Sequence, residues 1–285
     1  MTSPVTTTVS TVELERRRYR TRQRRRSVLI SLLSTLVFAA VAAVAIINSP
    51  GWHEVRHSFF DVKYGWDVLP DVLRGLWLNI RVLVVAVIAV GIVGSVVAIA
   101  RTTRGAVLAP VRFLAAAYTD LFRGIPLLIV LYLVGFGVPG LGLTGRVPSY
   151  VWGTIALVIT YGAYVAEVLR AGIEAVHPSQ RLAARSLGLS YGQTLRMIVM
   201  PQAIRKVTPA LMNDLVAMQK DVGLISVLGA VDAVRAAQIE VASTYNFTPY
   251  VVAGLLFVAM SWPLIRLTDA LTARARRREQ IGGAV

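Results

Sequence analysis

The sequence predicts an all-α membrane protein that crosses the bilayer about six times. Of the 285 residues, 55% are hydrophobic, which is above the roughly 45–50% apolar content of an average soluble domain. Several apolar stretches extend for about 20 residues, the length that an α-helix needs to cross a hydrocarbon core of ~30 Å. The sequence lacks the short alternating segments that are typical of a membrane β-barrel. We therefore expect helical spans, which satisfy their own backbone hydrogen bonds.

The chain begins with three segments of different character. Residues 1–26 end in ERRRYRTRQRRR and are expected to form a disordered arm, because a segment so polar and charged cannot build a core. Residues 27–47 form an apolar run that is longer than the 7–15-residue core of a signal peptide, so we predict a retained first transmembrane helix. Residues 48–74 mix charged and aromatic side chains and are expected to form an external loop.

The remaining spans lie in a core over residues 75–272. Five apolar runs are found there, at about 76–100, 107–138, 150–171, 204–229 and 250–271. The fourth and fifth of the six spans are separated by a long polar segment at 174–202, and a basic tail at 273–285 follows the last span. The core is therefore expected to contain five transmembrane helices, in addition to the one near the N-terminus.

The distribution of basic residues predicts the orientation of these spans. The net charge is +15, and under strict alternation the basic segments fall on one side of the membrane: the arm, Arg101 with Arg104, 181–206 and 274–278. Lys and Arg are enriched in cytoplasmic loops, so we predict that both termini are cytoplasmic. The segments 48–74, 139–149 and 230–248 are expected on the external side.

The polar segment 174–202 has the pattern of two short helices joined by a turn. Pro178 suits the first turn of a helix and Gly188 the position just past its end. Ser190 and Gln193 have the spacing of a capping box, which predicts a second helix that Pro201 interrupts or ends. Arg181 and Arg185 lie four residues apart on one helical face, where water or an acidic partner offsets their charges.

Charged side chains within the spans are the candidates for a transport path, because each costs roughly 2.5–3.5 kcal/mol at mid-bilayer on insertion scales. The fifth span carries Asn213, Asp214, Lys220 and Asp221. Positions seven apart return to nearly the same helical face, so these residues form two adjoining polar stripes. They either line the path, where carboxylates suit an ammonium group, or pair with neighbouring helices. Glu167 in the fourth span lies three residues from Arg170, which favours a pair within the helix.

Four stretches of the sequence resemble one known family. These are LFRGIPLLIVLYLVGFG at 121–137, AYVAEVLRAGIEAV at 163–176, QRLAARSLG with IVMP between 180 and 201, and PALMNDLVAMQKDVGLISVLG at 209–229. Together they resemble the permease subunits of bacterial ATP-binding-cassette importers, in the branch for polar amino acids. The likeness extends from about residue 70 to 271.

This resemblance implies a function for the polar segment and a set of partners. The segment 174–202 would be the coupling loop, with a short helix that docks on a separate ATPase subunit; the expected docking residues are Arg181, Ala183, Ala184, Arg185, Gly188 and Leu189. The substrate path would include Glu167, Asn213, Asp214, Lys220 and Asp221. Two ATPase subunits, a second permease subunit, identical or paralogous, an external substrate-binding protein and membrane lipid are the implied partners, and nucleic acid is not among them.

The chain itself is expected to bind no cofactor and to catalyse no reaction. It has no phosphate-binding loop of the G-x-x-x-x-G-K-[ST] type, so ATP and magnesium are expected in the partner ATPase, and its scattered histidines predict no metal site. The expected location is the bacterial plasma membrane, with several spans.

Leu182 and Met200 replace the glutamate and leucine of the family's loop. The alternative is a gradient-driven secondary transporter of amino acids. The acidic residues in the spans are compatible with such a transporter, but it would need no coupling loop.

Overall fold

A computed structural model describes residues 11–103, 105–143 and 145–282, and every described element is helical. The chain divides into two units, Met1–His57 and Ser58–Val285. The helices, in order, are α1 Thr11–Ile47, α2 Trp52–Phe59, α3 Val62–Thr102, α4 Ala109–Gly124, α5 Leu127–Gly140, α6 Ser149–Glu174, α7 Pro178–Ser186, α8 Tyr191–Leu228, α9 Ala233–Thr244 and α10 Thr248–Gly282. Four of the described helices are long and apolar enough to span a membrane by themselves. Two bent pairs of helices each have the length and composition of one further span, so the described chain contains up to six spans.

Helix α1 differs from the prediction of a disordered arm before the first span. Residues 1–10 lie outside the described residues, and from Thr11 the backbone is helical without interruption to Ile47. Glu, Arg and Gln are good helix formers, and extending an existing helix avoids the cost of a new nucleus. The apolar span therefore extends its helix backwards into the basic segment. Its side chains from Val28 to Ile47 are largely exposed within the described chain.

Two of the three segments predicted on the external side, 48–74 and 230–248, are also largely helical. Within 48–74 lie α2 and the first turns of α3, and Asp61 begins α3 by accepting a hydrogen bond from the Tyr64 amide at 3.0 Å. Within 230–248 lies α9, which Asp232 caps in the same way through the Arg235 amide at 2.8 Å. Aspartate is a strong N-cap residue. The charged residues that favoured a loop thus start helices.

Helices α3 and α6 form the centre of the second unit and run in the same direction. A Cβ atom added to Gly94 would meet the Val165 side chain at 2.6 Å, and one added to Gly162 would meet Val93 at 2.9 Å, so the helices are close at this level. On α3 the buried side chains recur every three or four residues from Val68 to Ala98, the pattern of one buried helical face. That face packs on α6 in the largest apolar cluster.

The apolar run at 107–138 is a bent pair of helices rather than one straight span. Helices α4 and α5 meet at 108°. At the bend, Ile125 is extended with φ −98° and ψ 130°, and Pro126 precedes the first residue of α5. A proline disfavours helical geometry in the residue before it, which explains the break. The Tyr118 hydroxyl holds α4 against α6 by donating to the Ile159 carbonyl oxygen at 2.6 Å.

A second bend lies at the end of the fifth span. The α-helical part of α8 ends at Asp221 and continues as a tighter 3₁₀ turn over Val222–Leu228. Gly229 then adopts φ +81°, which glycine tolerates at little cost. Helix α9 follows at 49° to α8. The polar stripe of α8 therefore lies immediately before a change of helical geometry.

Candidate functional site: the coupling helix and the polar face of α8

Helix α7 and the turn after it have the geometry that the sequence predicted for 174–202. Pro178 occupies the first turn, and the amide groups of Gly188 and Leu189 donate to the carbonyl oxygens of Arg185 and Ala184 at 2.9 and 3.2 Å. These two bonds make a Schellman motif, in which glycine takes the left-handed position, and Gly188 has φ +81°. The helix and its turn thus form a defined structure rather than a flexible linker.

The capping box that begins the next helix is also present. The Ser190 amide donates to the Gln193 side chain at 2.9 Å, and the Gln193 amide donates to Ser190 Oγ at 3.3 Å. The helix does not end at Pro201. It winds as a π-helix over Thr194–Val199 and as an α-helix from Met200, and a wider turn before proline relieves the ring's clash with the preceding carbonyl groups.

The predicted docking residues divide into exposed and buried members. Ala183, Arg185 and Gly188 are exposed, whereas Ala184 is buried and Leu189 is half-buried. Arg181 is turned inwards, and its Nη2 donates to the Ile173 carbonyl oxygen at 2.5 Å. Arg181 and Ala184 therefore hold α7 against the rest of the chain, while the exposed residues present its outer surface.

An exposed apolar contact on this helix was missed by the sequence analysis. Leu182 and Leu187 are 67% and 82% exposed, respectively. One of these large apolar side chains lies on α7 and the other directly after its last residue. Together they favour a protein interface, since aliphatic side chains in water gain stability by burial. The sequence analysis noted Leu182 only as a departure from the glutamate of the resembled family and assigned it no role.

The polar residues of α8 are placed as two stripes. Asn213 and Lys220 are exposed, and Asp214 and Asp221 are half-buried. Asp221 accepts a hydrogen bond from the Tyr161 hydroxyl of α6 at 2.7 Å, while Asp214 Oδ2 is buried without a hydrogen-bond partner. Among the described residues neither carboxylate forms an ion pair. This arrangement leaves two acidic groups on one helical face without an ion-pair partner in the part of the chain that the structure describes.

A buried polar brace supports the bend after this stripe. Asn79 of α3 donates to Asp232 Oδ2 at 2.9 Å and to the Val222 carbonyl oxygen at 3.3 Å, and it accepts from the Ala233 amide at 3.0 Å. Asn79 and Asp232 are fully buried. One amide side chain thus connects α3 to both sides of the bend and satisfies a carbonyl group that the change of winding exposes.

Glu167 is the centre of an ion cluster and not a free carboxylate. Its Oε1 pairs with Arg170 Nη2 at 2.5 Å, and its Oε2 pairs with Arg101 and lies 3.8 Å from Arg123 Nη1. Arg170 also pairs with Glu174 at 2.6 Å. The pair within the helix was predicted, whereas the two arginines from α3 and α4 were not, because no sequence spacing connects residues on different helices. The cluster joins the ends of three helices.

The chain matches known proteins over most of its length. The family described as "Binding-protein-dependent transport system inner membrane component" matches residues 105–278. The arginine transport system permease protein ArtQ of Bacillus subtilis (strain 168) is 34% identical over 193 residues, covering 67% of this chain and 86% of that protein. The putative glutamine transport system permease protein GlnP of Rickettsia prowazekii is 36% identical over 184 residues, covering 64% and 83% of the two chains.

Solved structures support the same assignment. A crystal structure of an amino acid ABC transporter with histidines is 34% identical, with a TM-score of 0.64 over 73% of this chain and 94% of that one. An inward-facing methionine transporter, MetNI, has a TM-score of 0.57 over 72% of this chain and 95% of that one, at 18% identity, which shows the fold alone. From the family match and these relatives, we conclude that the chain belongs to the inner-membrane permease components of binding-protein-dependent ABC transport systems.

Proposed function

We propose that the chain forms the translocation path of an ATP-driven amino acid importer and transmits the motion of a separate ATPase through α7. Permeases of this family work with an ATPase and a substrate-binding protein. The observation that carries the proposal is the ordered α7 with its exposed leucines, because a short, capped helix outside the spans is suited to dock on another subunit. A gradient-driven transporter has no use for such a helix.

The proposed assembly contains two permease subunits, identical or paralogous, and two ATPase subunits that bind ATP and magnesium. One substrate-binding protein would deliver the amino acid on the external side. Closure of the ATPase pair would move α7, and helix α8, which follows it in the chain, would change its exposure to either side of the membrane. Such coupling works because a ligand, here the nucleotide on the ATPase, stabilises one of two conformations over the other.

Asp214 and Asp221 are the groups that we propose to meet the ammonium end of the substrate. They lie seven residues apart and therefore on nearly one face of α8, and no cation among the described residues neutralises them. A carboxylate that pairs with an ammonium group contributes roughly 1.5–3 kcal/mol when partly shielded from water. Asn213 and Lys220 on the adjoining stripe would contact the polar remainder of the substrate, and Glu167 would support the end of the path.

The docking helix is tested by two substitutions at Gly188. Both Asp and Asn tolerate the left-handed backbone better than other side chains, so they carry similar strain at φ +81° and differ in charge. No atom lies within 4 Å of an added Cβ atom, so neither side chain begins with a steric clash. We expect Gly188→Asn to retain the ATPase subunit during purification in mild detergent, and Gly188→Asp to lose most of it.

Uptake measurements on the wild-type protein test the source of energy. In proteoliposomes with ATPase, binding protein and internal ATP, uptake should persist when a proton ionophore collapses the gradient, and should stop with a non-hydrolysable ATP analogue. Uptake that needs the gradient and proceeds without ATP hydrolysis would refute the proposal in favour of a secondary transporter.

The ammonium site is tested by Asp214→Asn. The amide has nearly the same shape but no charge, so we expect an uptake rate roughly tenfold lower at saturating binding protein, with unchanged ATPase association. Asp269→Asn is the matched control, because Asp269 is an exposed acid on α10 outside the proposed path. Equal uptake by the two variants would remove Asp214 from the path.

A further inference from the structure

A groove of about 510 Å³ lies between the middle of α3 and the N-terminal half of α6. On α3 it is lined by Val82, Val85 and Ala89, and on α6 by Val151, Thr154 and Val158. These positions recur every three or four residues, so they form one stripe along each helix. Nearly all of the lining is apolar, and both helices belong to candidate membrane spans. The groove therefore faces the interior of the bilayer.

One charged residue, Arg81, lies at the beginning of this groove, close to Tyr150 at the same end. Arg81 is exposed, and among the described residues it forms no hydrogen bond or ion pair. Its position on α3 is informative: Arg101 follows 20 residues later, which corresponds to about 30 Å along the helix. Since the hydrocarbon core is also ~30 Å thick, the two arginines mark its two edges, and Arg81 lies at the level of the lipid headgroups.

We propose that this groove binds a membrane phospholipid, with the phosphate on Arg81 and one acyl chain along the apolar wall. From Arg81 to Ala89 the groove extends about 12 Å along α3, close to the ~15 Å depth of one leaflet. A guanidinium group matches phosphate through two parallel hydrogen bonds, and the Tyr150 ring is of the type that collects at membrane interfaces. A phospholipid supplies both the apolar chain and the anion in one molecule.

The inference does not depend on the transported substrate or on the ATPase. It depends on the spans and on a cation without a partner at the mouth of an apolar groove. A helix from another chain would cover the apolar wall equally well but would have to bring its own acid to Arg81. The test therefore separates a lipid from a protein as the occupant.

The first experiment counts bound lipid by native mass spectrometry. The full chain, with the subunits that purify with it, is incubated with palmitoyl-oleoyl-phosphatidylglycerol or with the diacylglycerol of the same chains. We expect the wild type to retain the phospholipid, and Arg81→Gln to lower its occupancy about tenfold, with no change for the diacylglycerol. Arg146→Gln removes the same charge from an exposed residue before α6 and should bind like the wild type.

Two further variants make the result decisive. Arg81→Lys keeps the charge without the paired hydrogen bonds and should give intermediate occupancy. Ala89→Phe fills the groove and should reduce binding of both lipids while Arg81 is intact. Equal phosphatidylglycerol binding by the wild type, Arg81→Gln and Ala89→Phe would overturn the proposal.

The competing protein occupant is tested with thiol chemistry, because the chain contains no cysteine. Val85→Cys places a single thiol in the groove wall. A benzophenone maleimide attached to this thiol would, on illumination in native membranes, insert into a C–H bond of any helix that lies there. We expect no cross-linked partner chain. A specific cross-linked product of high yield would assign the groove to a protein interface and refute the lipid site.

Discussion

At the scale of single residues, the cluster around Glu167 determines how three helices are joined. One carboxylate faces Arg101, Arg123 and Arg170, and it is only 20% exposed. Removing one member of a partly buried ion cluster leaves the others without compensation, which costs more than the cluster itself contributes. Glu167 is therefore expected to be more important for stability than its exposed neighbour Glu174.

We predict that Glu167→Gln destabilises the protein by about 2–3 kcal/mol, because three guanidinium groups lose their common acid. Thermal unfolding in detergent should show a midpoint roughly 4–12 °C lower. Glu174→Gln is the control: its side chain is 57% exposed and pairs only with Arg170, so the loss should be below about 1 kcal/mol. Similar midpoints for the two variants would contradict a supporting role of the cluster.

At the scale of elements, the breaks in the helices are as informative as the helices. Pro126 separates α4 from α5, and the 3₁₀ turn over Val222–Leu228 separates the polar stripe of α8 from α9. The second break is held by Asn79, which satisfies a carbonyl group, a buried carboxylate and an amide group at once. Buried polar groups are costly when they lack partners, so this single side chain stabilises the bend.

We predict that Asn79→Ala costs about 3 kcal/mol, because Asp232 Oδ2 and the Ala233 amide lose the hydrogen bonds that Asn79 makes to them. The free energy of unfolding in detergent should fall by this amount, and limited proteolysis should cut the connection between α8 and α9 sooner. Asn48→Ala provides the comparison, because the Asn48 side chain is exposed and bonds only to its own helix. If the two variants are equally stable, the brace has no role in the bend.

At the scale of the whole molecule, the asymmetric charge predicts orientation. We expect α7 on the cytoplasmic side and α9 on the external side. The chain has no cysteine, so Ser186→Cys on α7 and Ser243→Cys on α9 each introduce one exposed thiol. A membrane-impermeant maleimide added to intact cells should label the α9 variant alone, and both variants should react after lysis. Labelling of the α7 thiol in intact cells would invert the topology.

Much of α7 and the turn after it could be predicted from the sequence because their determinants are local. Pro178, Gly188 and the pair Ser190 with Gln193 each act within a few residues of the chain, and the structure confirms the helix, the turn and the capping box. Helix continuity was predicted less well. The arm was expected to be disordered and the segments 48–74 and 230–248 were expected on the external side, the first of them as a loop, because polar composition was interpreted as loop. Helix α1 in fact extends into the arm, and helices begin within the two segments.

The apolar runs of the sequence by themselves determined an all-helical membrane fold, because a span depends on composition and length. Motif order along the chain determined the resemblance to importer permeases. Tertiary structure alone decided that Glu167 meets Arg101 and Arg123, that Asn79 braces the bend at Asp232, and that Arg81 opens onto an apolar groove. Each of these depends on residues tens to more than a hundred positions apart, whose proximity follows from helix packing and not from spacing along the chain.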